Sequence, residues 1–492
     1  MEISEITFLS GVYAPLICAV LAFAFSKFAG ELAVKSVAFF GCAIALASSV
    51  LTAVFYAKNG VLEVSSAFGQ MGVNGVSSAM YLLAGIVGFA AFLWTMVSPV
   101  KIRGISTYLV CMLFMQGGLM GMFASQNVLW MYAFHEFALV PTFIAMCVWG
   151  GENRKSAAME MAVYLTLGAL LALLGIIALA FVSTSTLTFN LRELADAFAS
   201  GNIGAKSAGV IFAVLAVGLG ALVSLFPLHS WAPKTYNEAP AAFSMLHAGV
   251  LKKFGLYLLI QVAVPLLGAN AGLSMGAITV LALLNVILIG LCTMAQNDFK
   301  MMVSYSSVSH MGLCFLGIAS MSVLGAGGTV MIMFGHGLSV AALFIFAEII
   351  KSRFSTCDMP SLGGAYKNMP VCAGLFVAAV LANIGLPGFA NFWGEISVFA
   401  ALWSKGAAVC ALAVSGIIIS AIYGLRAVAS IFFGAQSDAV KKAGNCDISW
   451  KERSPILILL LALILVGFAP KLITVPLDET LGGIPAYNLT DK

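Results

Sequence analysis

The sequence predicts an all-α polytopic membrane protein with about fourteen transmembrane helices in two inverted five-helix repeats. Three observations lead there: composition, the spacing of apolar segments, and two proline breaks. Among 492 residues, 61% are hydrophobic and only 9% charged, where a soluble domain carries about 25% charged residues. So few charges cannot cover a soluble particle of this size. Roughly 300 apolar residues, at about 20 per crossing, leave room for about fourteen or fifteen helices.

Apolar segments fall at 5–26, 33–56, 76–99, 106–124, 127–149, 157–182 and 208–227, and then at 240–266, 270–294, 302–320, 324–350, 369–400, 406–432 and 454–475. Runs of this length without period-2 alternation are helices, because a dry bilayer core leaves the backbone only helices or a closed barrel. The loops after odd-numbered crossings hold fifteen Lys and Arg, and those after even-numbered crossings hold Lys58, Arg192, Lys206 and Lys405. By the positive-inside rule the odd loops are cytoplasmic and both termini lie outside. The start Met1-Glu2-Ile3-Ser4-Glu5 lacks the basic region and cleavage site of a removed signal, which favours a prokaryotic or organelle-encoded membrane, and a bacterial inner membrane is the expected setting. The outside loop 183–207 carries Leu187, Phe189, Leu191, Leu194 and Phe198 among polar residues. An interfacial helix and an ordinary exposed loop both fit it.

Crossing 7 runs into Phe226-Pro227-Leu228-His229, and crossing 12 holds Gly385-Leu386-Pro387-Gly388. Proline removes a backbone donor and clashes with the preceding turn, so each site interrupts its helix. Such breaks are tolerated at membrane depth only where protein or a wet cavity satisfies the freed backbone. The two prolines lie 160 residues and five crossings apart. Five is odd, so a repeated five-helix unit enters the second time from the opposite face, and paired breaks in inverted halves point to an ion or substrate path. The organisation read from this is 1–105 for crossings 1–3, 106–266 and 267–432 for the two repeats, and 433–492 for a cytoplasmic loop, crossing 14 and an outside tail.

A charge at mid-bilayer costs at least about 2.5–3.5 kcal/mol, so each one needs a partner or a purpose. Glu136 lies in crossing 5, His247, Lys252 and Lys253 in crossing 8, His310 in crossing 10, His336 in crossing 11, and Glu395 after the crossing-12 break. Carboxylates and imidazoles exchange protons near neutral pH, and a lysine joins them only when burial or a neighbouring cation favours its neutral form. Lys252 is turned about 100° from Lys253, which suits snorkelling or pairing. For His310 and His336 a relay and a helix–helix hydrogen bond both fit, and for His229 a path-lining, capping or structural role. Glu160 and Glu348 fall near segment ends and read as interfacial. The net charge of +4 is far from a nucleic-acid footprint. The ten cysteines form no C-x-x-C pair and read as reduced packing thiols. No phosphate loop, metal-ligand cluster or nucleophile triad stands out, so no cofactor is expected on this chain.

The motifs Pro227-Leu228-His229-Ser230-Trp231-Ala232-Pro233, Leu246-His247-Ala248-Gly249-Val250-Leu251-Lys252-Lys253, Ser306-Ser307-Val308-Ser309-His310, Gly335-His336-Gly337 and Phe392-Trp393-Gly394-Glu395 together resemble the antiporter-like subunits of respiratory complex I. Within that family, the length and the glutamate at 395 are similar to subunit M, the bacterial counterpart of chain 4. The resemblance implies a proton pump driven by NADH oxidation and quinone reduction elsewhere. NADH, FMN, iron–sulfur clusters and quinone would then belong to partner subunits of the membrane and peripheral arms. It implies Glu136 as an acid coupled to a lysine, Lys253 as the central relay, Glu395 as the exit-side group, and His247, His310 and His336 as bridges. One departure stands out: the family's partner lysine on crossing 7 is Leu222 here. Three readings compete. Lys252 supplies the cation, which is the favoured one, or Lys234 reaches back, or the subunit pumps weakly and serves the membrane arm. The alternative functions are a subunit of a multisubunit Na+/H+ antiporter or membrane-bound hydrogenase and, from another class, a stand-alone secondary transporter.

Overall fold

The computed structural model describes residues 2–28, 30–183, 187–199 and 204–488. All fourteen apolar segments are helical. The first eight helices are α1 (Ile3–Phe28), α2 (Gly30–Asn59), α3 (Gly75–Val97), α4 (Ile105–Ala124), α5 (Val128–Trp149), α6 (Arg154–Ser183), α7 (Leu191–Ala199) and α8 (Ala205–Val223). A short α9 (Trp231–Glu238) leads into one irregular span, made of α10 (Ala241–Gly249), a 3-10 turn (Leu251–Lys253), α11 (Phe254–Leu258), a π turn (Leu259–Ala263) and α12 (Val264–Leu267). There follow α13 (Gly272–Leu284), a π turn (Asn285–Ile289), α14 (Gly290–Met294), α15 (Phe299–Ala319), α16 (Val323–Phe354), α17 (Pro370–Asn383), α18 (Ala390–Lys405), α19 (Ala407–Phe432), α20 (Asp438–Ala443), α21 (Trp450–Phe468) and α22 (Lys471–Gly482).

Twelve spans among the described residues are long and apolar enough to cross a membrane, or thirteen if α21 and α22, bent by 65°, count as one. The expected crossing 12 is discontinuous, with α17 and α18 each too short to cross alone. The gap spans Gly385-Leu386-Pro387-Gly388, the proline break expected from the sequence.

One feature departs from an all-helical chain. Between α2 and α3, β1 (Leu62–Ser66) and β2 (Gly69–Val73) pair antiparallel, Leu62 against Val73. The segment alternates buried Leu62 and Val64 with exposed Glu63 and Ser65, the period-2 pattern of a half-buried strand. It is possible only outside the hydrocarbon, where water can reach the free strand edges. Within the expected loop 183–207, α7 packs Leu194 into the core with Phe189, Leu191 and Phe198 against it; residues 184–186 and 200–203 lie outside the described ones.

Loops segregate to two ends. The hairpin meets the loops after α4 and α6 through Gln126 Nε2 to Gly72 O (3.1 Å) and Asn190 Nδ2 to Gln70 Oε1 (2.7 Å). Gly75 N donates to Thr480 Oγ1 of α22 (2.8 Å), and Tyr81 Oη to Phe8 O (2.7 Å), so the first turns of α1 and the last turns of α22 lie here. At the opposite end Trp149 Nε1 donates to Arg103 O (2.6 Å), Gly151 N to Glu238 O (2.9 Å) and Gly364 N to Phe433 O (2.9 Å). The basic loops therefore share one end.

The centre is α16, buried over its whole apolar window, whereas α19 is 28% buried and peripheral. At the basic end, Arg353 Nη2 of α16 binds Glu452 Oε1 of α21 at 2.7 Å, and the same glutamate completes a capping box with Ser449. Removing one partner of a buried pair leaves the other charge uncompensated. Glu452→Ala is expected to cost about 3 kcal/mol, read as a lowered melting temperature of the purified assembly; unchanged melting would remove this role. The ten cysteines are unbridged. Outside the spans, burial pushes the Cys357 thiol up to about 11 and raises that of Cys446.

Candidate functional site

The site grows from three interrupted helices, two of which pack on α16. The first break follows α8. Ser224 adopts a left-handed conformation at φ 69°, and the chain turns through Pro227 before α9 begins. This frees backbone groups that fully buried Asn285 collects. Its Oδ1 accepts from Phe226 N (2.7 Å), and its Nδ2 donates to Ser224 O and to Val308 O (3.1 Å each). Asn285 opens the π turn of its own span, and nothing but a lone polar residue marks it in the sequence. An unmade buried hydrogen bond costs about 1–3 kcal/mol. Asn285→Leu, which keeps the volume and loses all three bonds, is therefore expected to cost about 3 kcal/mol or more. Melting of the purified assembly tests this, and a wild-type value would show the break to be self-supporting.

The second break separates α17 from α18. Asn383, the last residue of α17, accepts at Oδ1 from Ser339 Oγ of α16 (3.1 Å), while Asn391 Nδ2 of α18 donates to Ala382 O (2.7 Å). The third break was not legible: after Pro240 at its start, crossing 8 carries no proline before Lys253, yet α10 stops at Gly249. Here α10 and α16 touch backbone to backbone. A Cβ on Gly337 would lie 2.6 Å from Gly249 O.

That approach sets Lys253 against α16. Its Nζ donates to Ala248 O, a carbonyl freed by the interruption, and meets His336 Nδ1 at 3.0 Å. The His336 ring lies 5.4 Å from that of His310, centroid to centroid. Both His310 nitrogens face carbonyls, Nδ1 on Ser306 O (2.8 Å) and Nε2 on Asn383 O (3.0 Å) at the second break. His310 and Glu395 then share a cavity of about 10 Å³ with Ser309 and Ser420, roughly room for one water. Glu395 is buried, and among the described residues no protein donor reaches its carboxylate. Lys253, His336, His310 and Glu395 are thus brought into one row.

The remaining expected residues flank it. Lys252 points the other way, its Nζ 3.3 Å from Ser307 O and over the Tyr236 ring at 5.5 Å. His247 stands edge-on to Trp231 (5.6 Å) and Tyr236 (5.4 Å), with its buried Nδ1 unpartnered. His229 stacks on Phe226 at 5.5 Å beside the first break. Glu136 is apart from the row: its ion-pair partner is His135, Nδ1 to Oε1 3.3 Å. Among the described residues no lysine pairs with it. Lys252 is committed to Ser307, and Lys234 to Glu160 at 2.7 Å. Neither lysine fills the place expected of it, because each finds a nearer acceptor on α15 or α6.

Two glutamates read as interfacial also have structural partners. Glu160 also accepts from Ser230 Oγ (2.7 Å), holding the turn after the first break. Glu348 accepts from Trp94 Nε1 (2.9 Å), Ser98 Oγ (2.5 Å) and Ala241 N (3.3 Å) at the start of α10. It lines a cavity of about 290 Å³ at the basic end with Lys101, Arg103 and Trp149, which reaches toward α10. Among the described residues no three His, Cys, Asp or Glu side chains converge to hold a metal.

Residues 125–420, more than half of the chain and including every row residue, match the family described as NADH:quinone oxidoreductase/Mrp antiporter, transmembrane part. The chain belongs to this family. This NADH:quinone oxidoreductase/Mrp antiporter family member is 32% identical over 432 residues to NAD(P)H-quinone oxidoreductase chain 4 1 of Synechococcus sp. (strain JA-3-3Ab), covering 85% of this chain and 79% of that one. Chain 4 of Acaryochloris marina (strain MBIC 11017) is also 32% identical, over 85% and 78%. The family fold is similar to that in respiratory complex I from Thermus thermophilus with bound NADH (TM-score 0.86, 24% identity, 99% of both chains). It is equally similar to the Mrp complex from Dietzia sp. DQ12-45-1b (TM-score 0.86, 17% identity, 100% and 99%).

Proposed function

We propose that the chain is a proton-translocating membrane-arm subunit of a complex I-type NADH–quinone oxidoreductase. The observation that carries this is the row from Lys253 through His336 and His310 to the Glu395 cavity, lying between two broken helices. The chain takes no redox step itself in this reading. NADH, FMN, iron–sulfur clusters and quinone sit on partner subunits, whose chemistry shifts the charges that the row responds to.

The row's chemistry follows from donor and acceptor counting. A lysine ammonium facing His336 Nδ1 makes that nitrogen the acceptor and puts the neutral imidazole's proton on Nε2. A proton passed from Nζ to Nδ1 can therefore leave from Nε2, on the other side of the ring. Nε2 is buried with no protein partner, so a water beside it would carry the proton onward. A neutral His310 can donate to only one of Ser306 O and Asn383 O, and an imidazolium donates to both. Protonating His310 therefore lets it bond both carbonyls at once, securing α15 to the end of α17, where the second break begins. Its release gives up one of the two bonds and passes the proton across the small cavity to Glu395.

In this reading the chain sits in a bacterial inner membrane with the basic end cytoplasmic and both termini periplasmic. The clustering of fifteen Lys and Arg in the odd loops supports it. Protons then enter from the side of the Glu348 cavity. A second reading, a subunit of a multisubunit cation/proton antiporter, is favoured by the equal fold similarity to the Mrp complex. Purification of the tagged chain from its own membrane separates the two. Co-purification with NADH-oxidising, quinone-reducing partners is the expected result. Recovery with partners that oxidise nothing, and with Na+-dependent proton exchange, would overturn it in favour of the second reading.

A further inference from the structure

We propose that His135 and Glu136 form one coupled imidazole–carboxylate unit that transmits charge from the outer face of α5 to the lysine turn. The inference rests on the proton-pump reading and assigns the coupling step to a histidine that the sequence motifs do not single out. Adjacent helical residues are turned about 100° apart, and here that turn separates inside from outside. Glu136 lies on the outward stripe of α5 with Phe137, Val140 and Phe143, its side chain 32% exposed. The His135 side chain is 4% exposed and faces inward. Its ring lies flat on Phe254, centroids 4.4 Å apart at 20°. Phe254 follows Lys253 directly, at the start of α11.

The electrostatics make the two residues a unit. A half-exposed carboxylate inside a span has no bulk water to solvate it, so its charge needs a counter-charge. Among the described residues His135 Nδ1, at 3.3 Å, is the one basic group within ion-pair distance of Glu136. Leu222 and Val223, at the end of α8, bring no charge. Tyr132 lies one turn earlier on α5, and the inward titratable group beside His135 is His247, which itself faces Lys252 and Lys253. With His135 protonated the pair is neutral. Taking that proton away leaves a bare carboxylate on the outer face and removes a positive charge from beside the lysine turn. A cation brought to Glu136 from outside offsets that loss, and the imidazole proton passes inward to His247, whose buried Nδ1 is unpartnered; when the cation withdraws, the proton returns to His135. The net charge that Lys253 senses therefore follows what faces α5 from outside.

The test uses the whole complex in sealed vesicles, with proton uptake and NADH oxidation followed together from pH 6 to 9. His135→Gln keeps a side chain able to bond Glu136 and cannot carry a proton. It is expected to lower coupled turnover by about tenfold or more and to flatten the pH profile, while the complex assembles. Wild-type turnover and profile in His135→Gln, with Lys253→Ala inactive in parallel, would overturn the coupling unit and leave the pump reading standing. Wild-type activity in Lys253→Ala would overturn both. If His135→Gln does not assemble, infrared spectra of the wild-type complex carrying isotope-labelled histidine decide instead. Imidazole and carboxylate bands that shift together with pH, both lost in Glu136→Gln, are the expected result. A carboxylate band that titrates alone would reject the coupling.

Discussion

A complex carrying Lys253→Ala is expected to assemble and to lose quinone-dependent oxidation and proton uptake together. Assembly should survive because Lys253 holds no ion pair: its partners are Ala248 O on its own helix and His336 Nδ1. Alanine suits the short helical turn, and the change removes a buried amine whose desolvation opposes folding. Transport should not survive, because the amine is the row's one proton donor to His336 Nδ1. Losing a positioned proton carrier costs roughly 100-fold or more in rate. Coupled oxidation falls with it, since electron transfer that must move charges cannot proceed when they have nowhere to go. If both activities stay at wild-type levels, the lysine is structural and the chain serves as a scaffold of the membrane arm.

The sequence yielded the spans and two of the breaks because their signals are local. Apolar runs, loop charges, Pro227 and Pro387 each act on their own few residues. What stayed hidden depends on which helices meet. The stop at Gly249 becomes necessary only where α16 brings Gly337 against it, and no proline announces it. Asn285 is one amide in an apolar run until the first break delivers Ser224 O and Phe226 N to it. The favoured pairing of Glu136 with Lys252 failed for a related reason. Sequence spacing fixed how far Lys252 turns from Lys253, but not that α15 would present Ser307 on that side. The hairpin at 62–73 escaped attention because its alternation lies in a short loop, where an apolar-run reading has no reason to look.

Glu395→Gln is expected to stop proton transit at the end of the row while leaving the fold intact. The carboxylate packs into a cradle that requires glycine: Gly385, at φ 75°, would place a Cβ 2.1 Å from Glu395 Oε2. A glutamine has the same shape and fits the same cradle, so melting should change little. What it lacks is a group that takes a proton and gives it up. His310, its neighbour across the cavity, already directs both nitrogens at carbonyls, and a proton leaving it needs an acceptor that can ionise. Coupled proton uptake should therefore fall by about tenfold or more. Glu395→Asp, which retracts the carboxyl by one methylene, should recover only part of the rate because the transfer then spans a wider gap. The pattern separates chemistry from packing: a structural glutamate would tolerate glutamine better than aspartate, whereas a proton carrier would tolerate aspartate better than glutamine. Wild-type uptake in Glu395→Gln would mean that the row ends at His310 and that protons leave through the second break itself.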